Sequence, residues 1–161
     1  MASFDKIAGI GNRPARSLPV PADEFDLEDQ VENPLRVYLV EDSAMIRGRV
    51  MEQVAASGHA DIIGYAETEE EALAGILSLH PDAVVLDIQL RNGNGFNVLR
   101  RLHKLPVALR PVVIVFSDYS DAEFRRYAAR EGANYFLNKG SEFHHLMGLL
   151  NLLSQREPPL R

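Results

Sequence analysis

From Pro34 onward the apolar positions of the chain alternate between two rhythms. Short runs dense in Val, Ile, Leu and aromatics read as strands: Arg36 to Val40, Asp61 to Ala66, Ala83 to Leu86, Val112 to Phe116 and Tyr135 to Leu137. Between and after them, apolar residues recur at helical spacing near Ala44 to Ala56, Glu69 to Leu79, Phe96 to Leu105, Asp121 to Glu131 and Glu142 to Leu153. Thr68 with Glu71, and Ser120 with Glu123, have the spacing of capping boxes. Gly58 and Gly132 stand where helix ends call for a left-handed residue.

Five strands alternating with five helices predict an α/β fold with a doubly wound parallel sheet and right-handed crossovers. The unbroken apolar runs Ala83 to Leu86 and Val112 to Phe116 suit central strands covered on both faces. Before Pro34 no period of 2 or 3.6 is sustained, and Pro14, Pro19 and Pro21 punctuate the sequence. Residues 1–34 are therefore expected to be a separate, flexible arm. A short helix from about Ala22 to Gln30 within it would offer Phe25, Leu27 and Val31 for docking.

Charge sharpens this division. Residues 1–34 hold seven acids against three bases, which accounts for −4 of the chain's −6. Such an arm does not suit a nucleic-acid surface, which needs clustered Lys and Arg. With 161 residues, 46% hydrophobic, the chain can bury a proper core. It has no cysteine, which excludes disulfides, thiolate metal sites and a thiol nucleophile. Without a signal-like start or an apolar run of membrane length, a cytoplasmic protein with no membrane partner is expected.

The candidate chemistry lies at the strand ends. Glu41 and Asp42 follow the first strand, Asp87 the third, Ser117 the fourth, and Lys139 comes two residues after the fifth. In a parallel sheet those ends share one edge, so three carboxylates, a hydroxyl and an ammonium would meet there. Magnesium prefers carboxylates, carbonyl oxygens and water. Asp42 and Asp87 are the expected direct ligands, the backbone carbonyl of Gln89 a third, and Glu41 acts through a bound water. Lys139 would balance the remaining negative charge, and Ser117 would offer its hydroxyl to phosphoryl oxygens. Each residue alone is an ordinary turn, cap or surface residue; their common edge is what points to a magnesium and phosphoryl site.

The segments LRVYLVEDSAMIR, AVVLDIQLRNGNGF, VVIVFSD and EGANYFLNKGSEF, in that order and spacing, resemble the receiver domain of two-component response regulators. The resemblance runs from about Leu35 to Leu153 and implies a flavodoxin-like (βα)5 sheet of strand order 2-1-3-4-5. By that resemblance Asp87 is the phosphorylated aspartate, Glu41 and Asp42 the acidic metal pair, Ser117 the switch hydroxyl and Lys139 the family's lysine. Phe136 takes the place of the aromatic that turns inward when the site is phosphorylated. Magnesium is the implied cofactor, and a histidine kinase or histidine phosphotransfer protein the implied donor. Met45, Ile46 and Arg49 on the first helix would help to choose it. The implied output is protein contact through the fourth helix, fifth strand and fifth helix, toward an unknown downstream target, with a homodimer left open.

The chain also departs from the family. Gly140 stands where Pro is usual, which puts the usual cis peptide there in question; Arg91 replaces another frequent Pro, and Asp118 a small residue. The expected organisation is the arm 1–34, a receiver 35–155 and a tail 156–161 too short for an output domain. A stand-alone phosphoacceptor, not an enzyme in the turnover sense, is the expected function. A phosphorylation-independent pseudo-receiver acting as a binding module is the alternative. An aspartate-based phosphatase would need a second carboxylate two residues after Asp87, where this chain has Gln89.

Overall fold

The computed structural model describes residues 33–156. The expected arm helix near Ala22 to Gln30, with Phe25, Leu27 and Val31, lies outside the described residues. The elements run β1 (Leu35–Val40), α1 (Ala44–Ser57), β2 (Ala60–Ala66), α2 (Glu69–Leu79), β3 (Ala83–Leu86), α3 (Gly95–His103), β4 (Val112–Ser117), α4 (Ala122–Arg130), β5 (Tyr135–Asn138) and α5 (Phe143–Ser154). A short 3-10 turn at Val107–Leu109 leads into β4. All strand pairs are parallel, in the order β2-β1-β3-β4-β5, as the resemblance implied.

Alternation along each strand divides the core into two layers. Tyr38, Val40, Val84, Leu86, Val113 and Val115 face one side, with Ala72 and Ile76 of α2, Leu99 and Leu102 of α3, and Ala128 of α4. Val37, Leu39, Ala83, Val85, Ile114 and Phe116 face the other, with Val50 and Val54 of α1 and Leu146, Leu150 and Leu153 of α5. All four residues of β3 are buried, which accounts for a strand without polar alternation.

Helix starts follow local chemistry. Thr68 caps α2 by accepting from the Glu71 N–H at 3.2 Å, as expected, while the Glu71 carboxylate accepts from Glu67 N–H one residue before the cap. The second expected capping box is not formed. Asp121, not Ser120, caps α4, its Oδ1 accepting from Phe124 N–H at 2.9 Å. Ser120 lies one residue before the cap, where its hydroxyl accepts a 2.8 Å hydrogen bond from the Asn138 amide. Gly58 and Gly132 adopt φ of +70° and +107°, as their positions after α1 and α4 predicted.

Tyr38 is the least predictable piece of the core. Its ring is 4% exposed, and its hydroxyl donates to the Tyr65 carbonyl at 3.1 Å. That placement requires Gly64 and Gly75, since a Cβ at Gly75 would fall 2.5 Å from Tyr38 Cζ. Gly75→Ala is expected to lower stability by about 1–3 kcal/mol through overpacking, despite the better helix propensity of Ala. In urea denaturation Gly75→Ala should cost less in a Tyr38→Val background than in the native chain, because the two side chains compete for the same space.

Candidate functional site

The sheet reverses direction of growth between β1 and β3, and the carboxyl ends of these two strands form the crevice where doubly wound folds place their ligands. Val40 pairs with Leu86 in register, so Glu41 and Asp87 leave the sheet side by side. Their backbones are pinned there: Glu41 N–H donates to the Ala66 carbonyl at 3.0 Å and Asp87 N–H to the Val40 carbonyl at 2.9 Å. Ser117 pairs with Asn138 at the ends of β4 and β5, and Lys139 N–H donates to the Ser117 carbonyl at 3.0 Å.

These positions bring Glu41, Asp87 and Lys139 into direct contact. Lys139 Nζ lies 2.6 Å from Glu41 Oε2 and 2.9 Å from Asp87 Oδ2, and the three side chains are 1%, 6% and 9% exposed in the order Glu41, Asp87, Lys139. Glu41 Oε1 also accepts from Ser43 N–H, and Asp87 Oδ1 from Gln89 N–H. One oxygen from each of Glu41, Asp42 and Asp87 lies within 4.8 Å of the others. Asp42 is half-buried and takes no hydrogen bond or ion pair among the described residues.

Burial pushes the Asp87 and Glu41 carboxyls above the usual carboxylate range, against the lowering effect of Lys139. Burial also works against the Lys139 ammonium, but its hydrogen bonds to Glu41 and Asp87 outweigh this and hold it above the usual lysine value. Three acids facing one cation therefore form an electrostatically unbalanced cluster with an unpartnered carboxylate at its rim. That donor set, all hard oxygens, fits a divalent cation such as magnesium.

Ser117 is fully buried, and its hydroxyl accepts from Tyr119 N–H at 3.2 Å. Gln89 follows Asp87 in the same loop and is exposed. Phe136 is half-buried beside the α2–α4 layer, with the Arg125 guanidinium 5.0 Å above its ring and donating to its carbonyl at 3.0 Å. Asp118 is exposed, and Arg91 forms an ion pair with Glu67 at 3.3 Å. Every peptide bond of the described residues is trans, including Lys139–Gly140.

Several residues of the site escaped sequence reasoning. Arg47 on α1 donates to the Glu41 carbonyl at 3.0 Å, pairs with Glu67 at 3.0 Å and lies over the Tyr65 ring. Gly95 opens α3 so close to the loop that carries Asp87 that a Cβ there would overlap the Asp87 carbonyl and fall 2.7 Å from Ile88 Cα. Its place eight residues after Asp87, at a helix start capped by Asn94, is the sequence signal it offers.

The family model of the response regulator receiver domain matches residues 37–151. Protein-glutamate methylesterase/protein-glutamine glutaminase 5 of Myxococcus xanthus is 36% identical over 110 residues, which is 68% of this chain and 31% of that protein. The DNA-binding transcriptional activator DevR/DosR of Mycobacterium tuberculosis is 30% identical over 105 residues, 65% of this chain and 48% of that one. The chain thus spans less than half the length of either relative. The response regulator domain of Thermotoga maritima CheB superposes with a TM-score of 0.68 at 25% identity, covering 78% of this chain and 100% of that domain. With the sheet order, the strand-end carboxylates and the matched span in agreement, the chain belongs to the response regulator receiver domain family.

Proposed function

We propose that Asp87 accepts a phosphoryl group from the phosphohistidine of a histidine kinase or phosphotransfer protein. In this reading the protein signals by contact with a downstream protein through the face formed by α4, β5 and α5. The observation that carries it is the meeting of Glu41, Asp42 and Asp87 around Lys139, with Asp42 left without a partner. Asp42 and Asp87 would hold magnesium with the Gln89 carbonyl, and Glu41, both of whose oxygens are already engaged, would act through a water. Bound there, the ion supplies positive charge to phosphoryl oxygens.

The remaining work falls to the chain's own groups. A carboxylate oxygen of Asp87 attacks phosphorus; the new P–O bond forms as the P–N bond breaks, and the electron pair leaves on the imidazole nitrogen. Lys139, already beside Asp87, neutralises charge on the transferred group. The Ser117 hydroxyl, which accepts from Tyr119 N–H, donates its own proton to a phosphoryl oxygen, and the β4–α4 loop follows it. Phe136 is packed under Arg125 of α4, so its movement would change what α4 presents to a partner. Phosphate has an output only through such a difference between states. Asp87 is the acceptor and not a turnover nucleophile, because Gln89 offers no general acid.

Beryllofluoride with magnesium mimics an aspartyl phosphate and tests the reading without a kinase. The expected result is a higher melting temperature and shifted Ser117 and Lys139 amide resonances, both absent in Asp87→Asn. An unchanged native chain would refute it. Gly95→Ala, which must displace the Asp87 backbone, is expected to weaken the beryllofluoride response by roughly tenfold or more in half-saturating concentration, as about 1 Å of misplacement does elsewhere.

A further inference from the structure

Lys139 stands on a loop that lacks the family's usual proline, so something else must hold it. Gly140 supplies an N–H that proline does not have, and the Asn138 Oδ1 accepts it at 2.9 Å. The same oxygen accepts from Ser141 N–H at 3.0 Å and the Ser141 hydroxyl at 3.1 Å. The other end of the carboxamide reaches the opposite loop: Asn138 Nδ2 donates to the Ser120 hydroxyl at 2.8 Å and the Asp118 carbonyl at 3.3 Å. The backbone of Asn138 is also closed onto α5, its N–H donating to Glu142 Oε2 at 2.7 Å and its carbonyl accepting from Glu142 N–H at 2.9 Å.

One side chain therefore joins the loop that carries Lys139 to the loop that follows Ser117. Arg125 reinforces the junction from α4, donating to the Ser120 carbonyl, the Phe136 carbonyl and Glu142 Oε2, each at 3.0 Å. An apolar residue at position 138, ordinary at the end of a strand, would leave all the carboxamide's partners without it. We propose that Asn138 is a positioning residue for phosphoryl transfer, its carboxamide setting Lys139 and Ser117 at the spacing that a phosphoryl group on Asp87 requires. It touches neither the acidic loops nor the reacting atoms, so it acts through Lys139 and Ser117. The assignment rests on Asp87 being the acceptor.

The test is the rate of phosphorylation of the full chain by acetyl phosphate, followed by intact mass over a range of magnesium concentrations. Asn138→Ala is expected to slow labelling on the order of tenfold at saturating magnesium. The half-saturating magnesium concentration should change far less than the rate, because Asn138 itself touches none of Glu41, Asp42 and Asp87 and reaches them only through Lys139. Ser120→Ala, which severs only one arm of the junction, should slow it less. Asn138→Asp should recover part of the rate, since its carboxylate still accepts from Gly140 and Ser141 and the Ser120 hydroxyl can turn to donate, while the bond to the Asp118 carbonyl is lost. Labelling of Asn138→Ala at the native rate would overturn the assignment alone. So would a slow Asn138→Ala whose magnesium dependence weakens in parallel and which Asp does not rescue, the signature of general loosening. A native chain that gains no phosphoryl group would overturn both this assignment and the acceptor reading.

Discussion

Lys139→Met is expected to abolish phosphoryl uptake in practical terms and, in magnesium-free buffer at neutral pH, to lower stability by about 3 kcal/mol. The loss follows from what the ammonium leaves behind. Glu41 and Asp87 sit 1% and 6% exposed, and both face Lys139 Nζ within 2.9 Å. Removing one member of a buried ion pair typically costs 3–5 kcal/mol, because the remaining charge is uncompensated. The lower end applies here since the carboxyls, already pushed up by burial, can take a proton instead. A raised carboxyl pKa means the native state holds more protons than the unfolded one, so the deficit should shrink as pH falls from neutral toward the raised values. Urea denaturation at two pH values checks the stability claim, and phosphodonor labelling the other. A native-like urea midpoint would mean that Lys139 does not hold the cluster together.

Magnesium is expected to stabilise the native chain strongly, and Asp87→Asn to stabilise the metal-free protein while removing most of that response. Three carboxylates against one ammonium leave two negative charges unbalanced in a crevice that is mostly buried. Neutralising Asp87 relieves this repulsion, while Asn138 and the sheet are untouched. Saturation at 100 times the dissociation constant adds about 2.7 kcal/mol to a protein that binds only when folded. Thermal melts of both proteins with and without magnesium should therefore cross: the variant melts higher without the ion and the native chain higher with it. Parallel shifts in both would show that the ion does not bind through Asp87.

How much of this was legible in the sequence depended on the range of the interaction concerned. β3 was predicted to the residue, and β4 was one residue short, because buried central strands write themselves as unbroken apolar runs. The gathering of these strand ends was legible because a parallel sheet turns strand order into spatial proximity, which brings Glu41, Asp42, Asp87, Ser117 and Lys139 to one edge. The α4 start was misread by one residue: Asp121 holds the cap, and the Ser120 hydroxyl makes a tertiary contact with Asn138. Tyr38 with Gly64 and Gly75 was invisible for the same reason, being a contact between β1, β2 and α2 that no local period records. Asn138, one residue past the expected strand Tyr135 to Leu137, was given no role of its own, though its neighbour Lys139 was singled out. The departure at Gly140 was noticed, but its consequence, a free N–H for Asn138 to hold, needed the loop's geometry.

The central claim is that Asp87 takes up phosphoryl in a magnesium-dependent way. Intact-mass measurement after incubation with a small-molecule phosphodonor, with and without magnesium, tests it most directly when native chain and Asp87→Asn are run together. The account predicts a gain of one phosphoryl group by the native chain with magnesium only, and none by the variant. No gain by the native chain, under conditions that label a receiver of known activity, would contradict it, as would equal labelling of the variant.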